Sequence, residues 1–240
     1  MTEKIAVIIP ALNAERTLPR VVVDARAQLE PVLVIDDGST DATGDVARAA
    51  GATVIRHSVN RGKGAALKTG FAWALENGFD GVITLDADGQ HLASEIPKFL
   101  RERERGGADL IIGGRSHLFE QMLPRRRRAN RFSASAIAFA AGVTITDSQS
   151  GFRFYSSNLL RKLQLRANGF DMESEVIVRA GRRKFGIVTI PIELGFVDGI
   201  ATSHYKPLQD TVQIAWTVIL TRFGEFLGVP RVPRSSSESQ

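Results

Sequence analysis

The chain has 240 residues, 31 Lys+Arg against 26 Asp+Glu for a formal net charge of +5, and no Cys. That length can bury a substantial core, and the ordinary charged and glycine content excludes collagen-like, low-complexity and wholly disordered chains. The lack of Cys removes disulfides, Cys-ligated zinc, iron–sulfur clusters and cysteine nucleophiles together, and it suits a reducing, cytoplasmic compartment.

The first predicted element is an apolar strand over 4–10, entered directly from Met1-Thr2-Glu3 with no cleavage-like site, which argues against a signal peptide. Further short runs of Val, Ile and Leu predict strands over 32–36, 53–56, 82–86 and 109–113, each fit for burial on both faces. Helical patterns lie between them over 15–29, 41–50, 63–76 and 92–105. Asp41 and Ser94 are candidate starts, and Gly51, Gly78 and Gly106 are candidate stops. Such alternation predicts right-handed βαβ units and an α/β fold with a mainly parallel central sheet flanked by helices.

Beyond residue 114 the pattern loosens. Arg125, Arg126, Arg127, Arg128 and Arg131 open an Ala-rich helical stretch reaching about Gly142. A strand follows over 152–155, then helices over 158–163 and 173–184 and a strand over 187–194. A C-terminal amphipathic helix over 210–227 carries Val212, Trp216, Ile219, Leu220, Phe223 and Phe226. We read residues 1–228 as one domain and 229–240 as a disordered tail. The longest uncharged stretches, 132–146 and 211–221, fall short of the ~20 apolar residues that cross a bilayer.

In open α/β sheets a ligand sits beyond the carboxyl ends of the strands, so the residues after each strand carry the chemistry. These are Pro10-Ala11-Leu12-Asn13-Ala14-Glu15, Asp36-Asp37-Gly38-Ser39-Thr40-Asp41, Asn60-Arg61-Gly62-Lys63-Gly64 and Asp86-Ala87-Asp88-Gly89-Gln90-His91. The Asp86/Asp88 pair is either half of an oxygen shell for a hard divalent cation or a polar turn before the next helix. Asp36 is either an acceptor for a base or ribose or part of a tight turn. The 60–64 loop offers two cations at a helix start, where an anion is favoured, or it is a solvated basic turn. It is neither a Walker loop nor a dinucleotide fingerprint, because Ala65 follows Gly64 and Leu67 stands where a third Gly would be.

Taken in order, these four segments resemble the family 2 glycosyltransferases of the GT-A fold. With Asp147-Ser148-Gln149-Ser150-Gly151-Phe152-Arg153 the chain is similar to the polyprenyl-phosphate glycosyltransferase branch, that of dolichyl-phosphate mannose synthase and dolichyl-phosphate glucose synthase. The resemblance implies nucleotide-sugar binding by Pro10, Ala11, Leu12, Asn13, Glu15, Asp36, Lys63, Asp86, Ala87, Asp88, Arg115 and Lys206. The family often has Tyr where Leu12 stands, and its acidic residue directly follows the Asn, where this chain has Ala14. The resemblance further implies Mg²⁺ or Mn²⁺ on Asp88 and Gln90, and catalytic roles for Asp88, Arg115, Arg153 and Lys206. Arg115, Arg128, Arg131, Ser203 and His204 would meet an acceptor phosphate. The implied activity is metal-dependent, inverting transfer from a nucleoside diphosphate sugar, of the GDP-mannose or UDP-glucose type, to polyprenyl phosphate.

A hydroxyl acceptor would need a base, for which Asp147, Asp171 and Glu173 are the candidates. Asp86-Ala87-Asp88-Gly89 also mimics a haloacid dehalogenase phosphatase loop, but that loop follows a first strand and has Thr where Gln90 stands. A sugar-phosphate nucleotidyltransferase would open with a Gly-rich loop that Pro10-Ala11-Leu12-Asn13 lacks. The basic run is either a solvated helix face or a site for lipid phosphate and an anionic membrane surface. A nucleic-acid module is disfavoured, since carboxylates at two strand tips repel phosphate and aromatics do not interleave with the arginines. The expected setting is cytoplasmic, peripheral on the cytosolic face of the membrane, reached directly or through a membrane-protein partner.

Overall fold

The computed structural model describes residues 3–115 and 134–195. Arg128, Arg131, Ser203, His204, Lys206, the helix expected over 210–227 and the tail over 229–240 lie outside the described residues. Within them the order is β1 (Ile5–Ala11), α1 (Leu18–Arg26), β2 (Val32–Asp36), α2 (Thr43–Ala49), β3 (Thr53–Arg56), α3 (Lys63–Glu76) and β4 (Gly81–Thr84). A 3-10 turn (Ala93–Glu95), α4 (Ile96–Glu104) and β5 (Leu110–Gly114) follow. Residues 134–141 form α5, and β6 (Arg153–Ser156), α6 (Ser157–Lys162), α7 (Asp171–Arg182) and β7 (Ile187–Pro191) complete the described elements.

The described strands form one sheet in the order β3-β2-β1-β4-β6-β5-β7. All neighbouring pairs are parallel except the two made by β6, which runs antiparallel between β4 and β5. Side chains of alternate residues enter opposite layers, as the strand period requires. Ile8, Leu33, Ile35, Leu110 and Ile112 pack with α3, α5, α6 and α7, whereas Val7, Ile9, Val34 and Ile111 pack with α1, α2 and α4. The result is a three-layer α/β/α core. Gly70 lets α3 lie close on β1, since a Cβ there would stand 2.7 Å from Ile8 Cγ2.

The sequence reading holds for every described element, with shifts at the ends that have physical causes. α1 begins at Leu18 rather than 15, because Asn13 takes a φ of 51° and the chain loops before Pro19 enters the first turn. α2 starts behind Ala42, one residue later than Asp41, whose Oδ1 nevertheless accepts from the N–H of Thr43 at 3.0 Å, and Ser94 lies inside the 3-10 turn. Gly51, Gly78 and Gly106 do end helices, with φ of 91°, 73° and 82°. β4 leaves the ladder at Thr84, two residues earlier than expected, which frees Asp86 from strand pairing. β7 stops at Pro191, and Leu194 instead forms an isolated bridge with His91.

Candidate active site

The carboxyl ends of β1, β2, β3 and β4 meet the amino end of β6 along one edge of the sheet, and the loops there are stapled to one another. Asn13 accepts at Oδ1 from the Thr40 backbone N–H, and its own N–H donates to Ser39 Oγ. The Ala14 N–H donates to Thr43 Oγ1, and Glu15 accepts from the Ala42 N–H at 3.1 Å. Thr17 Oγ1 donates to the Ala87 carbonyl, tying the fourth loop to the first. Glu15 is thereby engaged with the second loop. Pro10 and Leu12 are half-buried and Ala11 is buried, with the Ala11 carbonyl accepting from the Asp37 N–H at 2.9 Å.

Asp36 is fully buried: Oδ1 accepts from the Ser39 N–H, and Arg56 Nε lies 3.4 Å from Oδ2. Among the described residues Oδ2 has no hydrogen-bond partner, only the ion-pair contact with Arg56. Sequence reasoning passed over Asp37. It accepts from the Arg61 and Gly62 N–H groups at 3.0 and 2.7 Å and from His57 Nδ1 at 2.6 Å. The anion expected at this helix start is therefore an internal carboxylate. His57 Nε2 is 2.9 Å from Thr69 Oγ1 on α3.

Lys63 opens α3 and points at two carboxylates: Nζ is 2.7 Å from Asp86 Oδ1 and 3.2 Å from Glu173 Oε2. It also lies over the Phe170 ring. Burial alone would push its pKa down, but the two carboxylates hold it above the ordinary lysine value. Burial would likewise raise Asp86, yet the Lys63 ammonium, followed by His91 and Arg115, keeps it well below the usual carboxylate range. Asp88 makes no ion pair among the described residues. Burial and then the Asp86 charge push its pKa up, outweighing the hydrogen bond its Oδ1 accepts from the Gln90 N–H and the charges of Lys63 and Arg115. His91 is pushed down to about 4 by burial, and its Nδ1 accepts from the Asp86 N–H at 3.3 Å.

On the far side Arg115 is tied to Asp147, with Nε to Oδ2 at 2.8 Å. Burial would raise Asp147, but the guanidinium holds it below the ordinary Asp value, a poor setting for a general base. Glu173 faces Lys63 in the same way, with Oε1 lacking a hydrogen-bond partner. Asp171 is buried in the first turn of α7, where it accepts from the Gly169 N–H. Arg153, given a catalytic role by the resemblance, turns inward and is fully buried. Its guanidinium donates to the carbonyls of Ser150, Ser148 and Glu173 at 2.7 to 2.8 Å. In this structure it braces the 147–151 loop against α7.

The donor set at the end of β4 suits a hard divalent cation. Asp88 is a partly exposed carboxylate on which burial and the Asp86 charge outweigh the positive charges of Lys63 and Arg115, and Gln90 adds a second oxygen-bearing side chain on the same turn. A cation that keeps most of its waters and takes one or two protein oxygens matches that supply. Asp86 does not compete for it, since Lys63 already neutralises it.

Comparisons with known proteins give the family and the fold. The sequence model described as "Glycosyl transferase family 2" matches residues 6–164. The chain is 32% identical over 202 residues to undecaprenyl-phosphate mannosyltransferase of Micrococcus luteus, covering 79% of this chain and 82% of that protein. It is 30% identical over 212 residues to UDP-N-acetylglucosamine–dolichyl-phosphate N-acetylglucosaminyltransferase of Methanococcus voltae, covering 79% and 84%. In fold it resembles glucosyl-3-phosphoglycerate synthase of Mycobacterium tuberculosis, solved with Mn²⁺, UDP and phosphoglyceric acid. There the TM-score is 0.72 at 22% identity, over 95% of this chain and 80% of that one.

Proposed function

The chain belongs to glycosyl transferase family 2, and on that premise we propose that it transfers a sugar from a nucleoside diphosphate sugar to a polyprenyl phosphate at a membrane surface. The observation that carries this reading is the asymmetry of Asp86 and Asp88. One is paired from within by Lys63, while the other makes no ion pair among the described residues and has its charge disfavoured by burial. That arrangement suits a metal–diphosphate ligand better than a free phosphate.

When bound, Mg²⁺ or Mn²⁺ would be held by Asp88 and Gln90 and would offset charge on the leaving diphosphate. The protein's own groups do the remaining work. Pro10, Ala11 and Leu12 wall the nucleotide, and Asp36 offers the base an acceptor once Arg56 moves aside. Asp86, fixed by Lys63, accepts from sugar hydroxyls. An acceptor phosphate oxygen attacks the anomeric carbon, forming a C–O bond. The bond to the diphosphate breaks with its electron pair on the leaving group, and the anomeric centre inverts. Arg115 and Lys206 bring positive charge to the phosphates.

A phosphate acceptor is already anionic and needs no base. This agrees with the ion pairing of Asp147 and Glu173, two of the three groups a hydroxyl acceptor would call on. The names of the two sequence relatives support a polyprenyl-type phosphate acceptor. The sugars they carry differ, so the donor is left to experiment. Among the described residues no helix is long and apolar enough to cross a membrane. Arg128 and Arg131 would meet the lipid phosphate from the cytosolic face, as a peripheral enzyme or beside a membrane-protein partner.

The test is calorimetric titration of GDP-mannose, UDP-glucose and UDP-N-acetylglucosamine with and without Mn²⁺, followed by transfer to a short polyprenyl phosphate. Metal-dependent binding of one donor and formation of the glycosylated lipid are expected. Salt-sensitive oligonucleotide binding without metal, and no donor binding, would overturn the reading.

A further inference from the structure

We propose that Asp37, His57 and Thr69 form a positioning latch that sets Lys63, and through it Asp86, for donor binding. The inference rests on the sugar-transfer reading of the site. None of the three residues is assigned a part in that reaction, yet their geometry closes a continuous path from the third helix to the fourth strand's tip. Thr69 Oγ1 lies 2.9 Å from His57 Nε2, and His57 Nδ1 lies 2.6 Å from Asp37 Oδ1. Asp37 then spends both oxygens on the backbone, taking the Arg61 N–H at 3.0 Å on Oδ1 and the Gly62 N–H at 2.7 Å on Oδ2. Lys63 is the next residue, and its Nζ reaches Asp86 at 2.7 Å.

Two further features make this segment a part whose position is over-determined. Gly62 has a φ of 94°, and a Cβ there would stand 2.5 Å from the Asn168 carbonyl, so only glycine fits between the latch and the 168–169 backbone. The Ala65 N–H donates to that same carbonyl. Gly62, the N-cap residue of α3, has no side chain to cap the helix, and its own N–H is shared between Asp37 Oδ2 and Asn60 Oδ1, the latter at 2.9 Å. His57 is itself fixed, because its backbone N–H donates to the Asp36 carbonyl at 2.8 Å. A group anchored at both ring nitrogens and at its backbone transmits displacement instead of absorbing it. A Lys63 ammonium moved by an ångström would leave Asp86 facing the sugar with a different charge and a different angle.

A latch that acts through Lys63 predicts non-additivity, which a purely structural contact does not. The experiment measures the dissociation constant of the Mn²⁺ complex of whichever of GDP-mannose, UDP-glucose or UDP-N-acetylglucosamine the wild type binds. It compares His57→Leu and Thr69→Val, each alone and in a Lys63→Met background. In the wild-type background the constant should rise about tenfold for His57→Leu and about threefold for Thr69→Val, but by less than about twofold in the Lys63→Met background. Equal fold-changes in both backgrounds, or no change in either, would overturn the proposal.

Thr69→Val is nearly isosteric and keeps the test alive should His57→Leu fail to fold. Should the wild type bind no nucleotide sugar, the transfer reading fails by itself, and the latch is read without substrate. Exchange of the Arg61 and Gly62 amide hydrogens should then accelerate by about tenfold or more in Thr69→Val. Unchanged exchange would dismiss the latch on its own.

Discussion

Lys63 Nζ stands 2.7 Å from Asp86 Oδ1 and 3.2 Å from Glu173 Oε2, so a single ammonium joins the fourth strand's tip to the first turn of α7. All three side chains are largely removed from water, with exposures of 15%, 27% and 6%. Lys63→Met therefore removes the nearest counter-charge from two carboxylates. Breaking a largely buried pair in this way costs about 3 kcal/mol. Urea unfolding at pH 7 should show that loss, and Asp86→Asn in the same chain should restore part of it by removing one stranded charge. A double variant as unstable as the sum of the two singles would mean that Lys63 and Asp86 are not coupled.

Asp88→Asn should behave in the opposite manner. The Asp88 carboxylate is held in its protonation-prone state by burial and by the charge of Asp86, so the neutral amide relieves the folded protein instead of harming it. Thermal unfolding without metal should occur at the same temperature or slightly higher. Sugar transfer should fall at least about a hundredfold, as for loss of a group that stabilises leaving-group charge. Mn²⁺ binding, followed by electron paramagnetic resonance, should weaken in parallel. Unchanged Mn²⁺ affinity would remove Asp88 from the cation site.

Arg115 and Asp147 give the acid limb of the stability curve. The guanidinium depresses the Asp147 pKa in the folded protein below the ordinary value of 3.8. Between the folded and unfolded values the unfolded chain binds more protons, so stability rises with pH across that window. The contribution is present above about pH 4 and is lost as pH falls through the folded-state pKa. Asp147→Asn should be less stable than wild type at pH 7, and the two urea midpoints should converge as pH drops below the ordinary Asp value. A gap that stays constant down to that range would show that Asp147 stabilises by packing alone.

The fold was legible because strands such as Val32–Asp36 are unbroken apolar runs followed by turn chemistry, and the runs alternate with helical periods. Direction was not legible. β6 is four buried residues whose composition is the same whether it pairs parallel or antiparallel, and it inserts antiparallel. At the site, Asp86 and Asp88 were visible as charges at a strand tip, but their unequal charge states depend on Lys63, which lies 23 positions away from Asp86. The Asp37–His57 contact bridges 20 positions and was missed because either residue alone reads as part of a turn. Its signal was the second carboxylate of Asp36-Asp37 and a His directly after the third strand. The inward facing of Arg153 was not legible for a plainer reason. A motif states the residue type and leaves the facing open, while Phe152, Phe154 and Tyr155 around it already marked an interior run.

That interior placement yields a prediction separating brace from catalyst. Arg153 donates to three backbone carbonyls, of Ser148, Ser150 and Glu173, with no exposed surface. Arg153→Met keeps the apolar stem but leaves those buried acceptors unsatisfied, each costing about 1–3 kcal/mol. The variant should lose stability heavily in urea. Where it remains folded, the donor dissociation constant and the turnover rate should shift together, because the 147–151 loop and the start of α7 loosen at once and take Asp147 and Glu173 with them. Arg153→Lys should rescue only part of the stability, since one ammonium cannot serve three carbonyls in the fixed fan of a guanidinium. A stable Arg153→Met protein that binds donor normally and has lost only turnover would assign Arg153 to the chemistry after all.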